Sequence, residues 1–339
     1  FSNSQIEMKS WIDSILTSKQ RIALPIMTHP GIEAIGKTVK EAVSDGQVHY
    51  EAIKSVAEQF AMPACTSIMD LTVEAEAFGA TINLPDNEVP TVTGRLVSDA
   101  ESIAALEVPS LDKGRVPAYL LANKLAAENI TDKPVFSGCI GPFSLAGRLY
   151  DMSEIMVGIY IEPDAINELL SKCTQFLIDY CRALKANGTK GVVMAEPAAG
   201  LLSNEDCQMY SSEYVKQIVE AVQDDNFTVI LHNCGNTGHC TEAMLATGAR
   251  ALHFGNKIDM VQALNDCPSD VIVMGNLDPV GVFKMGTPDE VYVQTKALLE
   301  KTANYDNFVI SSGCDIPPHA SNANIEAFFS AVKDYNNNM

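Results

Sequence analysis

Residues 230–240 read ILHNCGNTGHC and place two imidazoles and two thiols, His232, Cys234, His239 and Cys240, in one short stretch. An apolar run ends immediately before them, so the stretch follows a strand. Alternate side chains of a strand point the same way, which lets His232 and Cys234 converge on one cation. Imidazole nitrogen and thiolate sulfur suit zinc, with bonds of about 2.0–2.3 Å. A third soft donor, Cys314 in ISSGCDIPPH, follows another strand-like run. In a closed α/β barrel the carboxyl ends of all strands share one face, whatever their separation in sequence. His232, Cys234 and Cys314 would then surround a metal with one position open, the arrangement of catalytic rather than structural zinc. A thiol bound there is deprotonated at neutral pH, and the thiolate is the nucleophile. The same residues admit two other arrangements. His232, Cys234, His239 and Cys240 can form a local four-ligand knot, given the turns at Gly235 and Gly238, or they can merely fill the barrel mouth.

Acids are expected around the same face. Asp70 in MDLTVEAE, Glu196 in MAEPAAG and Asp278 in GNLDP each follow an apolar run. Asp70 or Glu196 would act at the open position or orient a group behind it. Each acid also has an ordinary use, as a helix N-cap or a loop ion pair. Glu74 reads as a surface residue. His29, His49 and His253 read as structural histidines, whereas His319, five residues past Cys314, reads as a substrate contact.

The elements that must position these residues alternate between short β-branched runs and longer helical patterns, as in βαβ units. Eight strands are expected, at 22–27, 62–69, 134–139, 190–195, 227–232, 250–254, 271–275 and 307–312. Eight favour a closed (β/α)8 TIM barrel over an open sheet. A helix opens after Pro163 at Asp164 and ends before Gly188, its apolar stripe containing Leu169, Leu170, Cys173, Phe176, Leu177, Cys181 and Leu184. Cys173 and Cys181 are therefore core thiols. Further helices are expected over about 211–224 and after Thr287-Pro288-Asp289-Glu290, where a cap, a proline and two acids mark a start. Residues 1–20 read as a short amphipathic helix carrying Ile6, Trp11, Ile15 and Leu16. Residues 76–118, rich in proline and poor in periodic runs, read as an insertion covering one barrel end; 1–339 is otherwise read as one barrel domain.

Composition narrows the function classes. A formal charge of −20 repels phosphate backbones, so nucleic acid is excluded as a partner. The 47% hydrophobic content supplies a large core, yet no run approaches the roughly 20 apolar residues of a membrane span. Nine cysteines without regular spacing argue against a disulfide framework and for a reducing compartment, by default the cytoplasm.

Five segments together resemble the methylcobamide:coenzyme M methyltransferase branch of the uroporphyrinogen decarboxylase superfamily. They are MDLTVEAEAFGA at 69–80, SGCIGPFSLAG at 137–147, LHNCGNTGHC at 231–240, GNLDPVGVFKMGTPDEV at 275–291 and SSGCDIPPHASNANIEAF at 311–328. The resemblance spans nearly the whole chain. It implies zinc on His232, Cys234 and Cys314, and an in-pocket place for Asp70. It also implies a reaction in which a zinc-bound thiolate takes the methyl group of a methyl-Co(III) corrinoid such as methylcobalamin. Coenzyme M is the thiol of that branch, and its sulfonate calls for a nearby cation, for which Arg148 is the candidate. Asp278 and His319 would complete the substrate contacts. The Asp-x-His-x-x-Gly pattern of corrinoid carriers is absent, so the methyl donor would arrive on a separate corrinoid protein. Two alternatives carry different expectations. Decarboxylation of a polycarboxylate needs several arginines at the mouth, and a zinc- or corrinoid-binding accessory protein needs no open coordination position.

Overall fold

The computed structural model describes residues 6–339. Its strands, in chain order, are β1 (Cys65–Thr66), β2 (Thr81–Asn83), β3 (Thr91–Thr93), β4 (Val135–Ile140), β5 (Gly191–Ala195), β6 (Thr228–Asn233), β7 (Ala251–Phe254), β8 (Ile272–Leu277) and β9 (Phe308–Ser312). Seven of them form one curled parallel sheet in the order β1-β4-β5-β6-β7-β8-β9, while β2 and β3 form a separate antiparallel hairpin. Nearly every residue of the central strands is buried, as expected for parallel strands covered by helices on the outside and side chains within. The fold is α/β, a (β/α)8 TIM barrel.

Two expected strands are shorter than their sequence patterns. The 22–27 segment makes one parallel bridge, Ala23 to Ile310, because Ile26 N, the next donor toward β9, goes to the Ser312 hydroxyl, and Pro25 has no N–H to offer the opposite edge. It closes the barrel in other ways. Leu24 N donates to Ile310 O at 2.9 Å and Ile26 N to Ser312 Oγ at 3.1 Å, while Thr28 Oγ1 donates to Thr66 O at 2.9 Å across the opposite edge. The 62–69 segment keeps only Cys65–Thr66 as strand, since Met69 N donates to Asp315 Oδ2 at 3.2 Å and Gly138 N to Ser67 Oγ at 2.9 Å instead of continuing the ladder between the segment and β4.

The helix expected from Asp164 to before Gly188 spans Pro163–Ala186, with its whole predicted apolar stripe buried. The helix after Thr287 spans Pro288–Lys301 and opens with a reciprocal Thr287–Glu290 capping box. The helix expected near 211 runs over Glu213–Val222, entered through a π-helical turn at Gln208–Ser212. The amino-terminal helix covers Met8–Thr17, with Trp11 packed 5.7 Å from the Phe136 ring at the start of β4. The part of that expected helix over 1–5 lies outside the described residues. Residues 76–118 hold the β2–β3 hairpin and a short helix, Ala100–Ala105. Among the described residues no helix is long and apolar enough to cross a membrane.

His49 shows how tightly the barrel wall is sealed. Burial lowers its imidazole from 6.5 to about 3, so the folded state keeps it neutral. The unfolded chain binds the proton near 6.5, so this group's contribution to stability is present above that pH and is lost as pH falls toward 3. His49→Gln, which can still accept from Ile68 N, should flatten the acid side of the stability profile by up to about 1.4 kcal/mol per pH unit. Urea unfolding of both proteins between neutrality and the acid limit measures this. An unchanged slope would refute it.

Candidate metal and substrate site

All the parallel strands end on one rim, and the residues of interest follow those ends. Ala195, His232 and His253 are consecutive partners across β5, β6 and β7. His232 is fully buried, its Nδ1 lies 2.7 Å from His253 Nδ1, and its Nε2 has no hydrogen-bond partner. His253 Nε2 in turn meets Ser311 Oγ at 2.9 Å on β9. Burial lowers the His232 imidazole to about 4, so it is neutral at physiological pH.

Cys234 and Cys314 are both free and half-buried. Burial raises the Cys314 thiol to about 12, and the neighbouring Asp315 and Cys234 push it the same way. Cys234 is also raised by burial, against the lowering effect of Lys257 and Arg148. The two thiols thus lie in each other's field. Gly255 is required beside them, since a Cβ there would sit 2.7 Å from the Cys234 Cα. Among the described residues, however, no group of three or more His, Cys, Asp and Glu side chains is gathered at metal-binding distance. His232, Cys234 and Cys314 share the rim without forming a closed cluster.

The local knot does not form either. Asn236 Oδ1 accepts from Gly238 N and Cys240 N, folding the loop back on itself. That turn carries Cys240 inward, where its thiol donates to Leu202 O at 3.3 Å, and His239 Nε2 sits 3.1 Å from the same carbonyl. Both side chains face the 199–202 turn.

The acids divide by environment. Asp70 is buried and fully engaged: Arg115 Nη1 donates at 2.6 Å, Tyr119 OH at 2.8 Å and Thr72 Oγ1 at 2.6 Å. Glu196 is equally engaged, accepting from Phe143 N, Ser144 N and Ser211 Oγ. It anchors the amino terminus of the helix Pro142–Tyr150, where aligned N–H groups favour a carboxylate. Gly141 makes room for it, since a Cβ there would fall 2.1 Å from the Glu196 Cγ. Asp278 caps the turn Pro279–Lys284 by accepting from Val280 N and Gly281 N. His319 is exposed, with its backbone N–H donating to Glu33.

Glu74 departs from its sequence reading. It is 1% exposed rather than superficial, because the helix Val73–Phe78 turns that side chain inward against β4. Ile140 N donates to its Oε2 at 2.7 Å, its Oε1 has no partner, and burial raises the carboxyl to about 7. Asp315 was not singled out by sequence reasoning, although it directly follows Cys314. It accepts from Met69 N, and burial raises it to about 7. His29 Nε2 lies 3.7 Å from the Asp315 carboxylate, and neither ring nitrogen has a hydrogen-bond partner. Arg115 and Tyr119, which fix Asp70, also lacked a sequence signal, since neither lies in a motif.

Arg148 reaches the mouth from the helix Pro142–Tyr150. It lines a cleft of about 380 Å³ with Met69, Leu71, Thr72 and the hairpin residues Val89–Val92. Among the described residues its one hydrogen bond, Nη1 to Ser144 O at 3.3 Å, is within its own helix. The charges that act on it are those of Glu74, Glu196, Cys234 and Asp70.

Comparison with known proteins agrees with this architecture. The chain is 30% identical over 308 residues to the methylcobamide:CoM methyltransferase MtbA of Methanosarcina mazei, covering 90% of this chain and 89% of that protein. It is 25% identical to the methylcobamide:CoM methyltransferase MtaA of Methanosarcina barkeri, covering 98% and 99%. A uroporphyrinogen decarboxylase from Alcanivorax borkumensis is 25% identical over 81% of this chain and 80% of that protein. The solved structure of a methyltransferase from Methanosarcina mazei superposes with a TM-score of 0.87, at 22% identity over 98% and 99% of the two chains, and shares the fold. The family described as uroporphyrinogen decarboxylase (URO-D) matches residues 21–335, and the chain belongs to that family.

Proposed function

We propose that this protein is a zinc-dependent methyltransferase that moves a methyl group from a methylated corrinoid to a thiol such as coenzyme M. The observation that carries the reading is His232 Nε2, a buried ring nitrogen without a partner at the end of the strand that also delivers Cys234. In the tautomer that donates Nδ1–H to His253 Nδ1, His232 presents a bare Nε2 lone pair, and His253 passes its own Nε2–H to Ser311. His253 then orients His232, as a hydrogen-bonded neighbour of a metal ligand commonly does. Cys234 and Cys314 are the sulfur donors, and a one-His, two-Cys set suits zinc. When bound, the metal would hold the acceptor thiol as its thiolate.

The remaining residues position the substrates. Asp70 is held by Arg115 and Tyr119, and in this reading it supports the pocket wall together with Glu196, which fixes the helix carrying Arg148. Arg148 offers free N–H groups to an anionic tail of the thiol. Asp278 and His319 stand on the rim, where a docked corrinoid protein would meet them. Relatives named for methylcobamide:CoM methyl transfer cover nearly the whole chain, and this supports both the corrinoid donor and the thiol acceptor. Decarboxylation of a polycarboxylate fits less well. Arg148 is the arginine that lines the cleft, and Arg115 is already committed to Asp70 and Glu76.

The test is zinc per chain, followed by mixing with methylcobalamin and a panel of thiols while recording the cob(I)alamin spectrum. One zinc and thiol-dependent demethylation are expected. Protein purified without chelators that contains no zinc, or that leaves methylcobalamin unchanged with every thiol, would overturn the reading.

A further inference from the structure

The loop that carries Cys314 is anchored on both sides. Toward β8, Gly313 N donates to Leu277 O at 2.6 Å. Toward the first barrel segment and the end of β1, Ile316 N donates to Ile26 O at 2.8 Å and Asp315 accepts from Met69 N at 3.2 Å. One contact in this row is left open. His29 Nε2 stops 3.7 Å from the Asp315 oxygen that Met69 N uses, about 0.8 Å beyond an ordinary N–H···O bond. His29 Nδ1, His29 Nε2 and Asp315 Oδ1 are all buried without a hydrogen-bond partner. A histidine kept for packing ordinarily bonds through at least one ring nitrogen, and this one bonds through neither.

We infer that His29 and Asp315 are a positioning pair for Cys314: His29 donates to the Asp315 carboxylate and so seats the adjacent thiol beside Cys234 for the metal. The inference rests on the zinc assignment of the proposed function. Neither side chain is a ligand, and the pair acts through the backbone. On the β8 side that backbone is already in contact with its neighbours. A Cβ on Gly313 would fall 2.9 Å from Asn256 N, and one on Gly255 would fall 2.7 Å from the Cys234 Cα. Two glycines thus bring the chain at both sulfur donors against the short segment after β7. What remains to be set is the other side of the Cys314 loop, where Asp315 meets Met69 and His29.

The energetics favour a closed pair. Buried polar atoms left unsatisfied are costly, and a hydrogen bond from His29 gives a donor and an acceptor their partners at once. It also holds the Asp315 carboxylate from two elements, the first barrel segment and the end of β1. Fixing the residue next to a ligand in this way preorganises the ligand, as groups behind a metal site commonly do.

Zinc alone is the probe, its affinity for the full chain measured by competition with a chromophoric chelator. His29→Leu removes the donor and keeps a side chain of similar reach. Its zinc affinity should fall by about 10–100-fold, the usual cost of losing a group that orients a ligand. Urea unfolding of the zinc-free proteins should show His29→Leu at least as stable as wild type, because the ring nitrogens it removes have no partner to lose. His29→Gln, whose amide nitrogen replaces Nε2, should restore most of the affinity. In an Asp315→Ala background the donor has no acceptor, so adding His29→Leu should change affinity by less than about twofold. Unchanged zinc affinity in His29→Leu would overturn the inference. So would a His29→Leu protein that is destabilised or fails to fold, a His29→Gln protein as weak as His29→Leu, or an equal loss in the Asp315→Ala background. Wild type that binds no zinc would instead overturn the proposed function, and the inference with it, so the two failures are separately visible.

Discussion

Cys314→Ala is expected to lose bound zinc and to lower thiol-dependent demethylation of methylcobalamin by well over about 100-fold. Loss of a neighbour of a metal ligand typically costs about 10–100-fold in affinity or activity, and loss of the ligand itself should exceed that. Cys234→Ala should behave alike, because the two half-buried thiols lie in each other's field at one rim. Cys240→Ala should retain zinc, since that thiol is turned to Leu202 O on the far side of the Asn236 turn. Metal analysis and cob(I)alamin formation on the three variants check this. Metal retained by Cys314→Ala but lost by Cys240→Ala would move the site into the loop and refute the assignment.

The second large effect is on stability. Arg115→Leu strands the Asp70 carboxylate, whose side chain is 0% exposed, and removes the partner of Glu76. Removing one member of a buried ion pair commonly destabilises a protein by about 3–5 kcal/mol. Arg115 also donates to Val43 O and Thr72 Oγ1, so the variant leaves those acceptors short as well. Urea unfolding should show a loss in that range. Adding Asp70→Asn should recover part of it, because the stranded charge is gone. A loss below about 1 kcal/mol would mean that water replaces the guanidinium and that the cluster does not set the pocket wall.

The barrel strands were legible where the chain is buried on both faces. The runs at 134–139, 190–195, 227–232, 250–254, 271–275 and 307–312 each match an observed strand within about two residues, because nothing competes with the ladder there. The first two runs competed with proline and with side-chain acceptors. Pro25 removes a donor, and Asp315 captures Met69 N. Their apolar pattern records burial but not pairing.

Site residues followed a similar division. His232, Cys234 and Cys314 stood out because few other roles suit soft donors at strand ends. The acids were ambiguous in sequence, since a carboxylate after a strand serves equally as a cap, an ion-pair partner or a ligand. Glu196 and Asp278 are tied to helix starts. Glu74 was misread because its short helix exposes only one face, and nothing local states which face meets β4. Arg115 and Asp70 lie 45 positions apart and meet only through the fold.

The seam at residues 22–28 has a consequence for how the barrel moves. The β4–β5 and β8–β9 ladders each run over five residues, but the seam is held by a single backbone bridge and a few hydroxyl contacts. Hydrogen exchange should therefore find its amides the fastest of the barrel wall, opening locally while the seven-strand ladder stays intact. His29 follows directly on that seam, and Ile316 N is hydrogen-bonded to Ile26 O. Breathing of the first segment would therefore be transmitted to the loop that carries Cys314, making this sparsely bonded joint the natural hinge of the rim and, under the proposed function, the place where a bulky macrocycle would be admitted.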